Sequence, residues 1–244
     1  MRIGIFSDIH SNLEALQAVV DFLSQEKIDQ YLCLGDIVGY GANPNECVEL
    51  IKSLNCLCVA GNHDWCVLDK TDINNFNEPA QIAVLWTKNE LNKDSIEYLL
   101  KLPLQLEWEK FLLVHASPQE PSAWHYIYRL NQASAQFQYF KKPIGLIGHS
   151  HSPFIIEQNL ERNHIRIISQ SNSQIINPDC RYLINVGSVG QPRDGDPRAC
   201  VVIFDNETNC IKYERIDYNI KLAQEKILKS GLPPVLAYRL SLGK

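Results

Sequence analysis

Short apolar runs alternating with segments of helical period organise the first hundred residues. Residues 2 to 6 read as a buried strand, and Leu13, Leu16, Val20 and Leu23 then recur at helical spacing from Leu13 to Ser24. Tyr31 to Leu34 is the next apolar run. After it a glycine-rich loop leads to Pro44 in a first helical turn, with Val48 and Ile51 behind it, and a short strand follows from Cys56 to Ala60. This alternation predicts a largely parallel sheet covered on both faces. From Trp65 to Leu102 the pattern is helical, with Ala80, Ala83, Val84 and Leu91 on one face and Tyr98, Leu99 and Leu102 continuing it after Asp94-Ser95.

Beyond Leu104 short strands dominate. They read as Leu104 to Trp108, Phe111 to Val114, Ile144 to Ile147, Phe154 to Glu157, Ile165 to Ile168, Tyr182 to Asn185, Ala199 to Phe204 and Ile211 to Ile216. So many close-set strands predict a second sheet, mixed or antiparallel. Between His115 and Phe140 the chain reads as a loop followed by a helix, a candidate lid or substrate wall. Tyr218 to Lys229 reads as a helix stopped at Gly231 before Pro233-Pro234. No repeat, low-complexity stretch or boundary divides the chain, so one domain over residues 1–244 is expected.

Charge narrows the function. A formal net charge of −5 gives no basic field of the kind that dominates nucleic-acid affinity, so stable nucleic-acid binding is not expected and an anionic substrate must find positive charge locally. No stretch approaches the roughly 18 uninterrupted apolar residues of a membrane span. The start, Met1-Arg2-Ile3-Gly4-Ile5-Phe6, is too short an apolar stretch for a signal peptide. A soluble, cytoplasmic protein with no membrane partner is expected. Cys33, Cys56 and Cys58 lie within apolar runs, and no Cys-x-x-Cys pair occurs among the eight cysteines, so buried free thiols are expected rather than bridges or a zinc ribbon.

The chemistry gathers just after the apolar runs. Asp8-Ile9-His10, Gly35-Asp36, Gly61-Asn62-His63-Asp64, His115 and Gly148-His149-Ser150-His151 hold carboxylate, amide and imidazole donors where strand ends deliver side chains to one rim of a sheet. Asp8 and His10 are two apart, so in an extended segment both point to one side and can hold one cation; His149 and His151 repeat that spacing. Asp36 can bridge two cations through its two oxygens, and Asn62 adds a neutral carbonyl oxygen. Two carboxylates against two divalent ions leave a centre of about +2, attractive to phosphate. Such a pair does not itself supply a proton to a leaving oxygen. His63, set apart from Asn62 by the alternation of the chain, is the candidate general acid, with Asp64 placed to orient it and keep it protonated.

Taken in order, Asp-x-His, Gly-Asp, Gly-Asn-His-Asp, a lone strand-end His and Gly-His-x-His resemble the calcineurin-like metallophosphoesterase superfamily, over Met1 to about Phe204. The run Asn185 to Arg193 looks like the compact prokaryotic phosphodiesterase and phosphatase branch. The resemblance implies an α/β fold, a two-sheet mixed β-sandwich flanked by helices in four layers. It implies that Asp8, His10, Asp36 and His151 hold one metal while Asp36, Asn62, His115 and His149 hold the other, with Mn²⁺ favoured and Fe, Ni or Zn as alternatives. A bridging hydroxide would then attack a phosphate ester, in a phosphodiesterase or phosphomonoesterase, with His63 as acid. The substrate would be a small phosphate ester, a nucleotide or a phosphoprotein. One departure is Gln119, after His115-Ala116-Ser117-Pro118, where a basic residue is common.

Ordinary readings compete at single positions. Loop aspartates usually cap helices or shape turns, and His125 and His164 read as surface or packing residues, although His125 beside Trp124 and Tyr126 could reach a substrate. Arg193 could grip a phosphate bidentately, or pair with its neighbours Asp194 and Asp196. Trp65, Trp86 and Trp108 read as packing residues. An inert protein-binding scaffold of the same fold is the alternative function. Such a scaffold would be expected to lose metal-binding histidines, and none is missing.

Overall fold

A computed structural model describes residues 1–162, 164–168 and 173–244. The chain runs β1 (Arg2–Phe6), α1 (Leu13–Gln25), β2 (Gln30–Cys33), α2 (Pro44–Ser53), β3 (Leu57–Cys58), α3 (Asn62–Cys66), α4 (Glu78–Glu90) and α5 (Lys93–Leu100). It continues through β4 (Gln105–Trp108), β5 (Phe111–Val114), α6 (Leu130–Gln136), β6 (Ile144–Ile147), β7 (Phe154–Asn159), β8 (His164–Ile168) and β9 (Ser173–Ile175). Last come β10 (Cys180–Asn185), β11 (Ala199–Asp205), β12 (Cys210–Ile216), α7 (Ile220–Lys229) and α8 (Pro234–Tyr238).

The strands form two six-stranded sheets, in the orders β3-β2-β1-β11-β12-β9 and β4-β5-β6-β10-β7-β8. Both are mixed. In the first sheet β1, β2 and β3 run parallel, but β11, β12 and β9 add antiparallel pairs, so it is less parallel than the strand–helix alternation predicts. The reason is non-local: β11 returns from the far end of the chain to pair with β1. In the second sheet β5, β6 and β10 are parallel and the other pairings antiparallel.

Apolar side chains from the facing sides of the sheets, including Ile3, Ile5, Leu32, Phe111, Leu146, Tyr182 and Phe204, make the central core. Helices cover the outside. Leu16, Val19 and Leu23 of α1, with Cys47, Val48 and Ile51 of α2, pack on the outer face of the first sheet. Ala133 and Phe137 cover the second sheet at Leu112, Val114 and Leu183. This is the four-layer sandwich expected. A smaller cluster joins α4, α7 and α8 through Ala83, Ile227 and Leu236 and reaches Tyr40. All eight cysteines are free. Among the described residues no helix is long and apolar enough to cross a membrane.

This topology sets the position of the polar clusters. The carboxyl ends of β1, β2, β3, β5, β6 and β10 lead directly into the loops at Asp8, Asp36, Asn62, His115, His149 and Ser188. Open α/β sheets place their ligands at such strand ends.

Candidate metal centre

The two loops that begin the site hold each other. The N–H groups of Asp8, His10 and Ser11 donate to the carbonyls of Gly35, Asp36 and Ile37 at 3.0, 2.9 and 3.0 Å. This pairing forces unusual backbone. Asp8, His10, Asp36, His149 and His151 all have left-handed φ, between 51° and 64°. The extended geometry expected for Asp8-x-His10 and His149-x-His151 is therefore absent, and turns bring those side chains together instead. Left-handed backbone at non-glycine residues costs of order 1–3 kcal/mol each and persists only where neighbours over-determine it. Two glycines allow the close approach required: a Cβ on Gly61 would lie 2.1 Å from Asp36 Oδ1, and one on Gly148 would lie 2.4 Å from Asp8 Oδ2.

The structure brings Asp8, His10, Asp36, Asn62, His63, His115, His149 and His151 into one buried cluster. Asp8, His10 and His151 offer ligand atoms within 4.8 Å of one another, and so do Asp36, His115 and His149. Asp36 lies between the groups, its Oδ2 being 3.6 Å from His10 Nε2 and 3.3 Å from His115 Nε2. Its Oδ1 accepts the His63 backbone N–H at 2.8 Å. One oxygen, not two, is thus left to face both groups.

Backbone carbonyls orient the imidazoles. His10, His115 and His151 each direct Nδ1 at a carbonyl, of Val38, Leu34 and Gln191, at 3.3, 2.7 and 2.6 Å, while His149 directs Nε2 at the Trp124 carbonyl at 3.0 Å. A carbonyl only accepts, so each of these nitrogens carries a proton and the opposite nitrogen can offer a lone pair to a cation. Those opposite nitrogens face each other, His10 Nε2 to His151 Nε2 at 3.1 Å and His115 Nε2 to His149 Nδ1 at 3.2 Å, with Asn62 Oδ1 3.2 Å from His115. Facing lone pairs repel unless a cation or proton lies between them. Asp8 and Asp36 are fully buried, and among the described residues only histidines pair with them. Two buried carboxylates without a lysine or arginine fit divalent cations.

Protonation follows from the same packing. Burial alone would raise the Asp8 and Asp36 carboxyls, but the imidazoles of His151 and His115 beside Asp8, and of His115 and His63 beside Asp36, hold both below the usual range. Burial pushes His115 down, yet the carboxylates of Asp36 and Asp8 outweigh it and hold the imidazole up at about 9. His149 goes the other way, pushed down to about 3 by burial and by His115. In the metal-free protein His115 is therefore the proton holder between its carboxylates. A ligating imidazole must be neutral, so metal uptake at pH 7 is expected to expel this proton, and affinity should rise with pH until about 9. Calorimetric titration in buffers of different ionisation enthalpy reads the released proton; uptake without proton release would contradict it.

His63 lines the same site but differs from the ligands. It sits in the first turn of α3, so the helical rotation, not an extended alternation, separates its side chain from that of Asn62. The ring lies edge-on to His10 and Phe76, each at 4.8 Å between centroids, and its Nδ1 has no hydrogen-bond partner among the described residues. One ring nitrogen still falls within 4.8 Å of ligand atoms of His10 and Asp36. Burial brings the imidazole down to about 4, Asp36 opposing and Arg193 adding to the effect.

Asp64 requires a correction. Its carboxylate does not orient His63; it accepts the N–H groups of Ile37, Val38 and Gly61 at 2.9, 3.1 and 2.9 Å, tying the Asp36 loop to the start of α3. Burial and the Asp36 charge raise it to about 7, so it is no dependable anion for holding His63 protonated. Asp64→Ala strands three buried donors and is expected to lower the unfolding free energy of the metal-free protein by about 2–4 kcal/mol, measured by urea titration. An unchanged midpoint would return Asp64 to a purely chemical role.

His125 is also displaced from its expected reach. It is 56% exposed and faces Glu120 at 3.6 Å, while its neighbours Trp124 and Tyr126 line the cavity beside the centre. Arg193 behaves in the opposite way. Asp194 pairs with Arg215 and Asp196 with Arg198, so the ordinary loop pairs go to other partners. The Arg193 guanidinium instead takes Gln191 Oε1 at 2.8 Å and lies 5.9 Å from the Tyr40 ring. The segment from His115 to Phe140 forms a wall, with Tyr126 stacked on His149 at 3.9 Å. Gln119 is tied to α6 through its N–H and Gln136.

Local sequence patterns do not reveal the braces. Asn185 donates to the Gly148 carbonyl and Ser150 Oγ at 2.6 and 3.0 Å, and Ser188 Oγ donates to the Asp8 carbonyl at 2.8 Å. With Gln191 they clamp both His-bearing loops. The signal for them is the polar run Asn185 to Arg193 at the end of the apolar β10, which carries part of the family resemblance without saying what its side chains hold; Asn185, Ser188 and Gln191 prove to be buried.

Comparison with known proteins agrees with this geometry. A model of the calcineurin-like phosphoesterase superfamily domain matches residues 1–209. The uncharacterized protein MJ0912 of Methanocaldococcus jannaschii is 45% identical over 246 residues, covering 99% of this chain and 98% of that protein. The crystal structure of a metallophosphoesterase from Sphaerobacter thermophilus superposes with a TM-score of 0.87 at 38% identity, covering 100% of this chain and 99% of that one. That of hypothetical protein PH1004 from Pyrococcus horikoshii OT3 shares the fold, with a TM-score of 0.82 at 21% identity, covering 100% and 98%. The chain belongs to the calcineurin-like phosphoesterase superfamily.

Proposed function

We propose that this chain hydrolyses phosphate esters with two divalent cations, one held by Asp8, His10, Asp36 and His151 and the other by Asp36, Asn62, His115 and His149. The observation that carries the reading is the single Asp36 oxygen set between His10 Nε2 and His115 Nε2. A mixed imidazole, carboxylate and amide set suits Mn²⁺, with Fe, Ni or Zn as alternatives. When bound, the cations supply a water acidic enough to ionise near neutral pH and positive charge for phosphoryl oxygens. The remaining work falls to the chain. Backbone carbonyls fix the rings of His10, His115, His149 and His151, so the nitrogens that face the site are already aimed, and His115 has its extra proton to lose on binding.

Arg193 is assigned to a phosphoryl oxygen, since a guanidinium beside the site whose hydrogen bond goes to a neutral amide can take an anion. Arg193→Ala is expected to raise KM roughly 10- to 100-fold, the loss of one charged hydrogen bond, with a smaller change in kcat. A KM left unchanged removes it from the site. His63 is assigned the leaving oxygen. In the free protein burial keeps it neutral; an anionic ester beside it raises its basicity, so that the ring can take up a proton from solvent as the ester binds, pass it to the leaving oxygen and return to the neutral imidazole.

The protein is assigned to the cytoplasm, since eight unbridged cysteines suit a reducing compartment. The decisive experiment strips the protein with chelator, adds Mn²⁺, Fe²⁺, Ni²⁺ or Zn²⁺, and follows p-nitrophenyl phosphate and bis(p-nitrophenyl) phosphate. Hydrolysis restored by metal is expected. Silence with all four metals on both esters overturns the reading.

A further inference from the structure

Beside the cluster opens a cavity of about 350 Å³, within the usual range of small-ligand sites. Its floor is the metal centre itself, through Asn62, His63 and His149. Its walls are two loop segments. One, leading into α4, presents Phe76, and the other presents Trp124 and Tyr126. The walls are fastened across the space, because the Trp124 indole N–H donates to Thr71 Oγ1 at 2.9 Å. Behind them the rings continue as a stack, Tyr128 on Tyr126 at 5.1 Å and Tyr126 on His149 at 3.9 Å. Asn75 and Asn77 complete the lining with amides, and no lysine, arginine, aspartate or glutamate lines the cavity among the described residues.

An ester whose phosphate lies on the floor must lodge its alcohol portion between these walls. Tyr126 is covered on its two faces by His149 and Tyr128, so the rings that can stack on a planar ligand are Trp124 and Phe76, and such stacking favours a planar base over a sugar. Amides and a hydroxyl add neutral donors and acceptors, which a plain hydrocarbon ring would leave unpaired. Among the described residues the lining itself carries no lysine or arginine, and the guanidinium that borders it, Arg193 beside Tyr40 and Tyr126, is already assigned to the reacting phosphate, which leaves little positive charge for further phosphates or an acidic peptide. We infer that the cavity is a nucleobase site, so that the substrates of this centre are phosphate esters of nucleosides rather than sugar phosphates or phosphoproteins, an inference that rests on the phosphoesterase reading.

Two measurements test it on the intact protein. First, adenosine and uridine, without phosphate, are titrated into metal-free protein while tryptophan fluorescence is followed; quenching is expected with a nucleoside, none with ribose, and none with either in Trp124→Leu. Secondly, the metal-loaded enzyme is compared on nucleoside 5′-monophosphates, ribose 5-phosphate and O-phosphotyrosine. The nucleotide is expected to exceed ribose 5-phosphate in kcat/KM by at least about ten-fold, and the ratio to fall toward one in Phe76→Ala and Asn75→Ala. Absence of quenching, equal efficiencies, or O-phosphotyrosine exceeding the nucleotides overturns the nucleobase site. If p-nitrophenyl phosphate and its diester are not hydrolysed either, the phosphoesterase reading fails instead, and the fluorescence titration still decides what the cavity binds.

Discussion

Asp36→Ala is expected to remove both cations together and to lower turnover of every phosphate ester by about three powers of ten or more, since metal charge contributes several kcal/mol to phosphoryl transfer. The expectation follows from position. Asp36 Oδ2 lies 3.6 Å from His10 and 3.3 Å from His115, whereas Asp8 Oδ1, 3.9 Å from each, leans to His151 at 3.2 Å and so to the first group, and His149 sits with the second. His151→Ala should therefore leave about one metal per chain where Asp36→Ala leaves close to none. Elemental analysis of the purified variants, read beside initial rates, separates these outcomes. Asp36 also accepts the His63 N–H, so alanine disturbs the start of α3 as well. Asp36→Asn keeps an acceptor there and removes the charge. If Asp36→Asn retains two metals at wild-type affinity, the shared-ligand assignment is wrong.

The fold is legible where hydrophobic period and strand order agree. The runs at residues 3–6, 31–34 and 111–114 read as strands because such apolar segments must be covered on both faces, and both faces are covered here. The first sheet is less parallel than its strand–helix alternation suggests, because nothing local in Ala199–Asp205 tells which sheet it joins; pairing with β1 decides that. Ser173–Ile175 carries no strand signal for the same reason: three residues with no apolar alternation become a strand by pairing with β12.

The cluster is legible as an inventory but not as a geometry. Asp8-x-His10 reads as extended by its period of two, and the left-handed turn comes from carbonyls near residue 36, which no local window contains. Asp64 and Arg193 show the same limit from opposite sides. Adjacency suggests that Asp64 serves His63 and Arg193 serves Asp194, yet Asp64 satisfies backbone donors of another loop and Asp194 pairs with Arg215. Side chains that bond across loops depend on tertiary placement, and sequence neighbours are poor guides to it.

His63→Ala should divide the histidines into two kinds. It is expected to lower kcat by about 10²- to 10⁴-fold, the usual contribution of a positioned proton donor, while metal content stays at two per chain. The four other imidazoles in the cluster each spend one nitrogen on a backbone carbonyl, the arrangement of a ligand, and His63 has no such carbonyl at Nδ1. The loss should depend on the leaving group. A nitrophenolate departs without help, so p-nitrophenyl phosphate should suffer least and esters of ordinary alcohols most. A pH profile sharpens the test: a proton donor must act as the imidazolium, so wild-type kcat, which reports the substrate complex, should fall as pH rises through the value to which the anionic ester lifts His63, and this basic limb should vanish in the variant. Loss of a cation from His63→Ala, whose ring lies within 4.8 Å of His10 and Asp36 ligand atoms, would instead make it a ligand and leave the proton to come from water.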